Sequence, residues 1–412
     1  MTELTPDFLS AAKDLLGPKG WSMQAEDLDK VASPWRGTYK GETPFLAKPA
    51  TTDETAALVR LCNQHGVAIT PQGGNTGLVD AGTPHGEICI STQRMTAVRA
   101  LDAFNNSLVI EAGAPLVAAQ QAADDAGRLF PLSLGSEGTA TIGGLVSTNA
   151  GGVAVLRYGM MRDLVLGLEV VLPSGEILNG LSGLRKNNTG YDLKHLFAGA
   201  EGTLGIITAA TLKLFPKVQR ASAWVTCQTT HDVVKLLSLV RDHAGDTVTS
   251  FEIIPANAVA MVQADVPDTR DPLPSDLPWR VLMEISMSRA DHAREVLEGA
   301  LAAAYDDGLV QDAVIAESVA QADSLWHIRE TIPLSKRGYG TALNQDISVP
   351  VSRIPDFIEA CNAAILERVP SAEFVIFGHV GDGNLHYSVC EPANAPHPVL
   401  RGLDEQVFRI IY

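Results

Sequence analysis

A glycine-rich stretch from Pro131 to Gly159, PLSLGSEGTATIGGLVSTNAGGVAVLRYG, limits the folds open to this chain more than any other feature. Apolar residues recur through it, so it is neither a flexible linker nor a low-complexity tract. Glycine lets the main chain approach a ligand closely, and runs of free N–H groups in such turns form concavities that bind anions. The stretch therefore predicts a backbone cradle suited to a pyrophosphate. The alternative is a loop-rich β region whose glycines serve only bulges and tight turns.

Two more loops share this character. PQGGNTGLVDAG at 71–82 follows a short apolar run, and GAEGTLGIITAATLKL at 199–214 leads from a glycine-rich turn into an alternating β-branched segment. Three such loops indicate one extended ligand. The sequence contains neither a G-x-G-x-x-G fingerprint nor a G-x-x-x-x-G-K-[ST] loop, which counts against Rossmann and P-loop folds. An NAD(P)- or ATP-dependent enzyme with unusual glycine loops stays open as an alternative.

These loops resemble the FAD-binding domain of the vanillyl-alcohol oxidase type. The resemblance lies in PQGGNTGL, in GSEGTATIGG with STNAGG and RYG, and in LRKNNTGYDLKHLFAGAEGTLGIIT. Within that group the chain is most similar, from about Trp35 onward, to the FAD-linked D-2-hydroxyacid dehydrogenases, which include D-lactate, D-2-hydroxyglutarate and glycolate-oxidising enzymes. The resemblance implies non-covalent FAD and hydride transfer from a D-2-hydroxy acid to flavin N5. The residues it implies for FAD binding are Pro71, Gly73, Gly74, Asn75, Thr76, Gly77, Leu78, Pro131, Gly135, Ser136, Gly138, Thr139, Thr141, Ile142, Gly143, Gly144, Asn149, Gly151, Gly152, Tyr158, Gly159, Glu201, Gly202, Gly205, Ile206 and Ile207.

Mixed helical and strand patterns without a regular β-α-β alternation predict an α+β fold, and 412 residues are too many for one core. We expect a helical N-terminal segment over residues 1–34 and a two-part FAD-binding domain over 35–218. A cap domain that binds the substrate is expected over 219–412. The pattern of the cap predicts an antiparallel sheet with helices on one face.

Two histidines in FGHVGDGNLHYSV, His379 and His386, flank a Gly-Asp-Gly loop between apolar strand-like runs. A strand, a tight loop and a second strand can bring two imidazoles to one divalent metal ion. Two ligands do not complete a site, and on spacing alone buried core histidines are the alternative. The resemblance implies that this pair holds the catalytic metal, for which we expect zinc, and that His386 is a catalytic residue.

Arg329, in SLWHIRETIPLSKRGYG, carries a planar fork of donors that matches a carboxylate. A solvated surface arginine is the alternative. The resemblance implies that Arg329 binds the substrate carboxylate as a catalytic residue, with Tyr339 on the same wall. Two further substrate positions depart from the family pattern, because Asn344 stands where a lysine is usual and Ser388 where an asparagine is usual. These departures leave the identity of the hydroxy acid open.

The sequence stops at Tyr412 inside a helical pattern. The family continues into a segment that carries a carboxylate metal ligand and a histidine proposed as the general base. We therefore weigh two hypotheses. The first is a shortened but active dehydrogenase, and the second is a flavin-binding module or subunit without turnover of its own.

The overall composition limits the kinds of partner that this protein could bind. A formal net charge of −17 argues against nucleic acid, whose phosphates need clustered lysine and arginine. No apolar run approaches the ~20 residues of a transmembrane segment, and the N-terminus lacks a signal-peptide pattern, so we expect a cytoplasmic protein. The resemblance implies a small 2-hydroxy acid as substrate and a quinone, a cytochrome or an electron-transfer flavoprotein as electron acceptor. A homodimer is one assembly open to such a chain.

Overall fold

The computed structural model describes residues 4–34, 40–77, 79–336, 340–392 and 399–412. The chain forms two compact units. The first contains Met1–Gly152 and Tyr158–Lys217, and the second contains Val153–Arg157 and Val218–Tyr412. Both units combine helices with antiparallel strands, which confirms the predicted α+β class. The predicted division of the chain at 34/35 and 218/219 stays a prediction.

The first unit is built from short elements. Its helices are α1 (Pro6–Leu16), α2 (Ala25–Ala32), α3 (Thr52–His65), α4 (Leu116–Asp125), α5 (Ile142–Ser147), α6 (Val155–Tyr158, of which Tyr158 belongs to this unit), α7 (Met161–Leu164) and α8 (Lys194–Phe197). Its strands are β1 (Trp21–Ser22), β2 (Leu46–Ala47), β3 (Ile69–Gln72), β4 (Ile88–Ser91), β5 (Val98–Asp102), β6 (Ser107–Glu111), β7 (Arg128–Leu129), β8 (Val165–Val171), β9 (Ile177–Asn179), β10 (Ile206–Lys213) and β11 (Phe215–Pro216).

Local sequence signals set the ends of its longer helices. The hydroxyl of Thr51 accepts a hydrogen bond from the Glu54 amide at the start of α3, and Gly66 ends that helix at a φ of 65°. A hydroxyl acceptor at the first position and a glycine in the left-handed conformation at the last are typical helix ends. The predicted N-terminal helix is likewise present as α1, which ends at Gly17.

Two larger sheets form the framework of this unit. One has the strand order β1-β2-β4-β3, in which β4 runs parallel to β2 and β3. The other is antiparallel with the order β5-β6-β10-β8-β9. The segment LVLGLEVVLPSGEIL forms the antiparallel hairpin of β8 and β9. The first glycine-rich loop begins at β3 and the third leads into β10, whereas the second lies between β7 and α7.

The second unit is organised around one seven-stranded sheet. Its strands are β12 (Gln219–Cys227), β13 (Val248–Pro255), β14 (Trp279–Met287), β15 (Asp312–Ile315), β16 (Gly340–Ser348), β17 (Glu373–His379) and β18 (Asn384–Pro392), in the order β15-β12-β14-β13-β17-β18-β16. Its helices are α9 (Thr230–Ala244), α10 (Ala256–Asp265), α11 (Ala290–Asp306), α12 (Val319–Ser335), α13 (Ile354–Leu366) and α14 (Asp404–Ile411).

Helices cover both faces of this sheet, so the expectation of helices on one face was wrong. On β12, Ala223 and Val225 lie in a core shared with α9 and α11. Trp224, between them, lies in a separate core shared with α10 and α12. Successive side chains of a strand point to opposite faces, and all three residues are fully buried. The apolar runs of these central strands indicate a sheet buried on both sides.

Strand β13, which the sequence analysis did not predict, joins the two halves of the sheet. It pairs with β17 through two residue pairs, Glu252 with His379 and Ile253 with Gly378. Gly378 has a φ of 150°, and an added Cβ would lie 2.7 Å from the carbonyl oxygen of Asn384. Glycine is therefore needed where β17 turns toward β18.

The stretch Val153–Arg157 belongs to the second unit although its neighbours in sequence belong to the first. Ser250 Oγ on β13 donates to the carbonyl oxygen of Val153 at 2.7 Å. Arg157 Nη1 donates to the carbonyl oxygen of Ser286 on β14. These bonds attach the stretch to two central strands.

None of the helices in the described part of the chain combines the length and apolar composition needed to cross a lipid bilayer.

Candidate functional site

The three glycine-rich loops of the first unit meet one another. An added Cβ on Gly74, in the first loop, would lie 2.0 Å from the carbonyl oxygen of Thr139 in the second. An added Cβ on Gly202, in the third loop, would lie 2.4 Å from Cγ of Pro71 in the first. The amide of Glu201 donates to the carbonyl oxygen of Ser147, at the end of α5, at 2.9 Å. The structure therefore brings together three segments that are distant in sequence.

Each loop also holds one non-glycine residue at positive φ. These residues are Asn75 at 52°, Asn149 at 48° and Glu201 at 50°. This backbone conformation is unfavourable for residues with a Cβ and is tolerated best by asparagine. Such strain costs ~1–3 kcal/mol and persists where the surrounding structure enforces it, commonly at ligand sites. The loops are thus held in a shape that the chain alone would not favour.

The surroundings of Thr141 test whether FAD fits these loops. Thr141 precedes α5, and its buried hydroxyl has no hydrogen-bond partner among the residues that the structure describes. An added Cβ on Gly73 would lie 2.3 Å from that oxygen. A backbone surface that excludes side chains, beside an unsatisfied polar atom, fits a polar ligand bound by the main chain.

The other residues predicted for FAD binding are distributed over the same loops. Leu78 lies outside the described residues. Gly135 and Gly138 face open space, because an added Cβ at either would find nothing within 4 Å. Ile206 and Ile207 are buried in β10. The remaining positions, and the assignment of the whole set to FAD, stay predictions.

In the second unit, the histidine pair lies at the ends of two adjacent strands. His379 ends β17 and His386 lies near the start of β18, and their ring centres are 5.6 Å apart. Their side chains are 21% and 30% exposed. The hairpin therefore brings together the two imidazoles that the sequence predicted to be neighbours.

Glu252 on β13 links this pair to Arg329. Its Oε1 contacts Nδ1 of His379, and its Oε2 accepts from Nε of Arg329 at 2.7 Å. The carboxylate is fully buried. Burial alone would raise the pKa of Glu252, but the charges of Arg329 and His379 outweigh it and lower that pKa to about 2. Glu252 is therefore an ionised carboxylate shared by two partners.

A second carboxylate, that of Asp346, lies beside His386. Asp346 is opposite His386 in the pairing of β16 with β18, with Oδ1 3.4 Å from Nδ1 of the imidazole. Burial lowers the pKa of His386, whereas the charge of Glu252 overcomes burial to raise the pKa of His379. Both Nδ1 atoms thus face carboxylates, so contact with a metal ion would fall to the Nε2 atoms. Metal-binding histidines commonly have this arrangement.

Arg329 is buried, which excludes the alternative of a solvated arginine. It lies on α12 with 7% of its surface exposed. Its guanidinium carbon is 4.9 Å from the centre of the Phe377 ring, and His386 packs against the same ring at 4.9 Å between ring centres. Phe377 therefore holds the arginine and an imidazole of the pair within one cluster.

Lys336 at the end of α12 brings a second cation to this cluster. Its Nζ donates to Oγ of Ser388 at 2.5 Å, and Ser388 Oγ donates to Oδ1 of Asn344 at 3.0 Å. The same Nζ lies 5.7 Å from the centre of the Phe377 ring. Although neither Asn344 nor Ser388 carries a charge, a cation therefore contacts Ser388, which in turn is hydrogen-bonded to Asn344. Tyr339, predicted for the same wall, lies outside the described residues.

The metal-ligand set is incomplete. Within the described ranges, no three His, Cys, Asp or Glu side chains are grouped so that they could hold a metal ion. The histidine pair supplies two imidazoles whose chemistry fits a divalent cation. The proposed zinc therefore has two predicted ligands in this part of the chain.

Comparison with known proteins places these geometries in a family. Residues 43–180 match the model of an FAD binding domain, and residues 216–403 match that of the C-terminal domain of FAD linked oxidases. The probable D-2-hydroxyglutarate dehydrogenase of Oryza sativa subsp. japonica is 37% identical over 390 residues, which cover 94% of this chain and 69% of that protein. The chain belongs to the FAD-linked D-2-hydroxyacid dehydrogenases. The D-2-hydroxyglutarate dehydrogenase of Bos taurus is 39% identical over 373 residues, 89% of this chain and 67% of that protein.

Solved structures support the fold of this dehydrogenase family member. An alkyldihydroxyacetonephosphate synthase structure aligns with a TM-score of 0.76 at 17% identity, covering 99% of this chain and 79% of that one. At this identity the likeness concerns the fold alone. The predicted family and the predicted FAD-binding fold are both confirmed.

Sequence reasoning missed two residues of the candidate site, Glu252 and Lys336. Glu252 interrupts the otherwise apolar end of VTSFEIIP, and a charged residue inside an otherwise apolar strand was a usable signal. The position of Lys336 beside Ser388 depends on a contact between residues 52 apart in sequence.

Proposed function

We propose that this protein oxidises a D-2-hydroxy acid to the 2-oxo acid, with FAD as hydride acceptor and zinc at His379 and His386. The observation that carries the proposal is the continuous chain from Arg329 through Glu252 to His379, beside His386. It combines a carboxylate-binding guanidinium with two imidazoles that are oriented for a metal. Relatives named as D-2-hydroxyglutarate dehydrogenases support it further.

In the proposed reaction, Arg329 and the two histidines have different roles. Arg329 would bind the carboxylate of the substrate, and His379 and His386 would hold the zinc ion. Burial lowers the pKa of His386, which favours the neutral imidazole that a metal ion requires. When bound, FAD supplies a hydride acceptor and zinc supplies Lewis acidity.

The test of this proposal is reduction of the flavin by substrate. Under anaerobic conditions, mixing with D-2-hydroxyglutarate, D-lactate or glycolate should bleach the visible absorption band of the flavin. L-enantiomers of the first two acids are the control and should leave the band unchanged. A yellow protein that no short D-2-hydroxy acid bleaches would instead be a flavin-carrying module without turnover.

For the substrate itself, we propose a dicarboxylic hydroxy acid. Ser388 follows His386 by two residues on β18, a separation of ~7 Å along a strand. Lys336 Nζ donates to Ser388 Oγ at 2.5 Å. In a dicarboxylic substrate such as D-2-hydroxyglutarate, the second carboxylate lies two methylene groups beyond the hydroxyl-bearing carbon. We propose that Lys336 binds this distal charge.

Replacing Lys336 with methionine should therefore separate two substrates. We expect KM for D-2-hydroxyglutarate to rise about tenfold, equivalent to ~1.4 kcal/mol, because one charged hydrogen bond is lost. KM for D-lactate should change less than about twofold, within the range of a surface substitution. Lys235→Met on the exposed side of α9 is the control. Equal changes for both substrates would argue against a distal-carboxylate role.

A quinone, a cytochrome or an electron-transfer flavoprotein remains the predicted electron acceptor, and the cytoplasm remains the predicted location. The rice and cattle relatives are named as mitochondrial proteins.

A further inference from the structure

Glu252 is an unusual residue to find at the centre of a buried sheet. Every residue of β13 is buried, and burying an ionised carboxylate costs several kcal/mol unless its contacts compensate. Both oxygens of Glu252 are engaged, one by Arg329 and the other by His379. An apolar residue would satisfy the strand without this cost. The contacts of the carboxylate, not the packing of the strand, therefore account for its presence.

The main chain fixes the contact between Glu252 and His379. The two residues are directly opposite in the pairing of β13 with β17, where Cβ atoms lie ~4.5–5.5 Å apart. That pairing is limited to two residue pairs. One of the two residue pairs that join the halves of the sheet is thus Glu252 with His379, whose side chains are in contact.

We infer that Glu252 is a positioning residue that holds His379 with its proton on Nδ1 and, through its other oxygen, holds Arg329 in place. The inference rests on the proposed function. A carboxylate offers only acceptors, so it takes a proton from each neighbour at once. With Nδ1 as the donor to Glu252, Nε2 is the ring nitrogen that carries the lone pair in the neutral imidazole. The same carboxylate couples the carboxylate-binding residue to the metal-binding residue.

Glutamine in place of Glu252 tests this coupling, because it keeps the shape of the side chain and loses one acceptor. If the glutamine oxygen accepts from Arg329, its NH2 group faces His379 and can donate only to an Nδ1 that carries no proton. The proton of the neutral imidazole is then on Nε2, where it blocks binding of the metal. If the amide is reversed, its NH2 donor faces the N–H donor of Arg329, and no hydrogen bond forms there. Glutamine can therefore replace the contact with only one of the two partners.

The experiment compares the wild-type protein with E252Q, E252D and E284Q. Zinc affinity is measured by competition with a chromophoric chelator, and kcat and KM are measured separately. We expect E252Q to bind zinc ~10–100-fold more weakly, the usual effect of removing a partner of a metal-binding histidine, and to show a raised KM. E252D, which keeps both acceptors, should recover part of the zinc affinity.

Glu284 is the matched control. It is also buried, on the neighbouring strand β14, and it accepts hydrogen bonds from Ser222 and Trp326 at 3.0 and 3.2 Å. E284Q should change thermal stability without changing zinc affinity or KM by more than about twofold. If E252Q behaves like E284Q, Glu252 is structural and the inference is wrong.

A spectroscopic measurement tests the inference without any variant of Glu252. In wild-type protein with 15N-labelled histidine and no added metal, His379 should show a protonated Nδ1 in a strong hydrogen bond, assigned by its loss in His379→Gln. An Nδ1 without a proton would overturn the inference even if E252Q does not fold. This measurement does not depend on substrate, so failure of the proposed oxidation would be recognised separately, by unbleached flavin.

Discussion

Replacing Gly74 with alanine should weaken FAD binding by at least ~30-fold, equivalent to ~2 kcal/mol. The added Cβ would lie 2.0 Å from the carbonyl oxygen of Thr139, so the first glycine-rich loop must move away from the second. A cradle formed by main-chain atoms has no side chain that can rotate to relieve the clash. The ratio of flavin to protein absorbance after gel filtration, and a titration of the apoprotein with FAD, measure the loss.

Gly82→Ala is the matched control for Gly74. Gly82 lies at the end of the same loop and is not among the residues predicted to bind FAD, and an added Cβ there would meet nothing within 4 Å. We expect G82A to keep its flavin, with an affinity within about twofold of the wild type. Circular dichroism should show both variants folded. Equal flavin content in G74A and G82A would contradict the assignment of the three loops to FAD.

Replacing Arg329 with lysine should lower kcat/KM by about a hundredfold or more, since removing one partner of a buried hydrogen-bonded charge pair costs ~2–5 kcal/mol. Lysine keeps the charge but loses the planar fork of donors, which binds Glu252 and, in the proposed function, also the substrate carboxylate. We expect the same loss of kcat/KM when the assay contains saturating FAD and zinc. Steady-state kinetics with each D-2-hydroxy acid measures the effect.

Arg220→Lys is the control for this substitution. Arg220 lies on β12 with its side chain 45% exposed, near Glu284 at 3.7 Å. Exposed ion pairs contribute ~0–1 kcal/mol, so R220K should change kcat/KM less than about twofold. A hundredfold loss in both variants would indicate a general effect on the sheet. Retention of full activity in R329K would remove Arg329 from the site.

The parts of the site that could be predicted from sequence are those whose pattern lies within one short segment of the chain. Glycine-rich loops carry their conformational signal within each loop, and the spacing of His379 and His386 across one hairpin is a local property. Arg329 was chosen through a family resemblance, and the structure adds that it is buried. Local patterns therefore located both the flavin loops and the histidine pair.

The parts that sequence could not predict depend on contacts between distant segments. Glu252 and His379 are 127 residues apart in sequence, and no local pattern states that β13 pairs with β17. The error about helices on one face has a similar origin. Alternate apolar residues of β12 serve two different cores, and which helices form each core is decided by the tertiary fold.

The placement of Val153–Arg157 in the second unit has a consequence for dissecting the protein. That unit is discontinuous in sequence, so a single proteolytic cut after Lys217 would not release it whole. A fragment beginning at Val218 would leave the buried hydroxyl of Ser250 without the carbonyl oxygen of Val153, at a cost of ~1–3 kcal/mol. A fragment meant to contain the whole second unit must therefore also include Val153–Arg157 from the second glycine-rich loop.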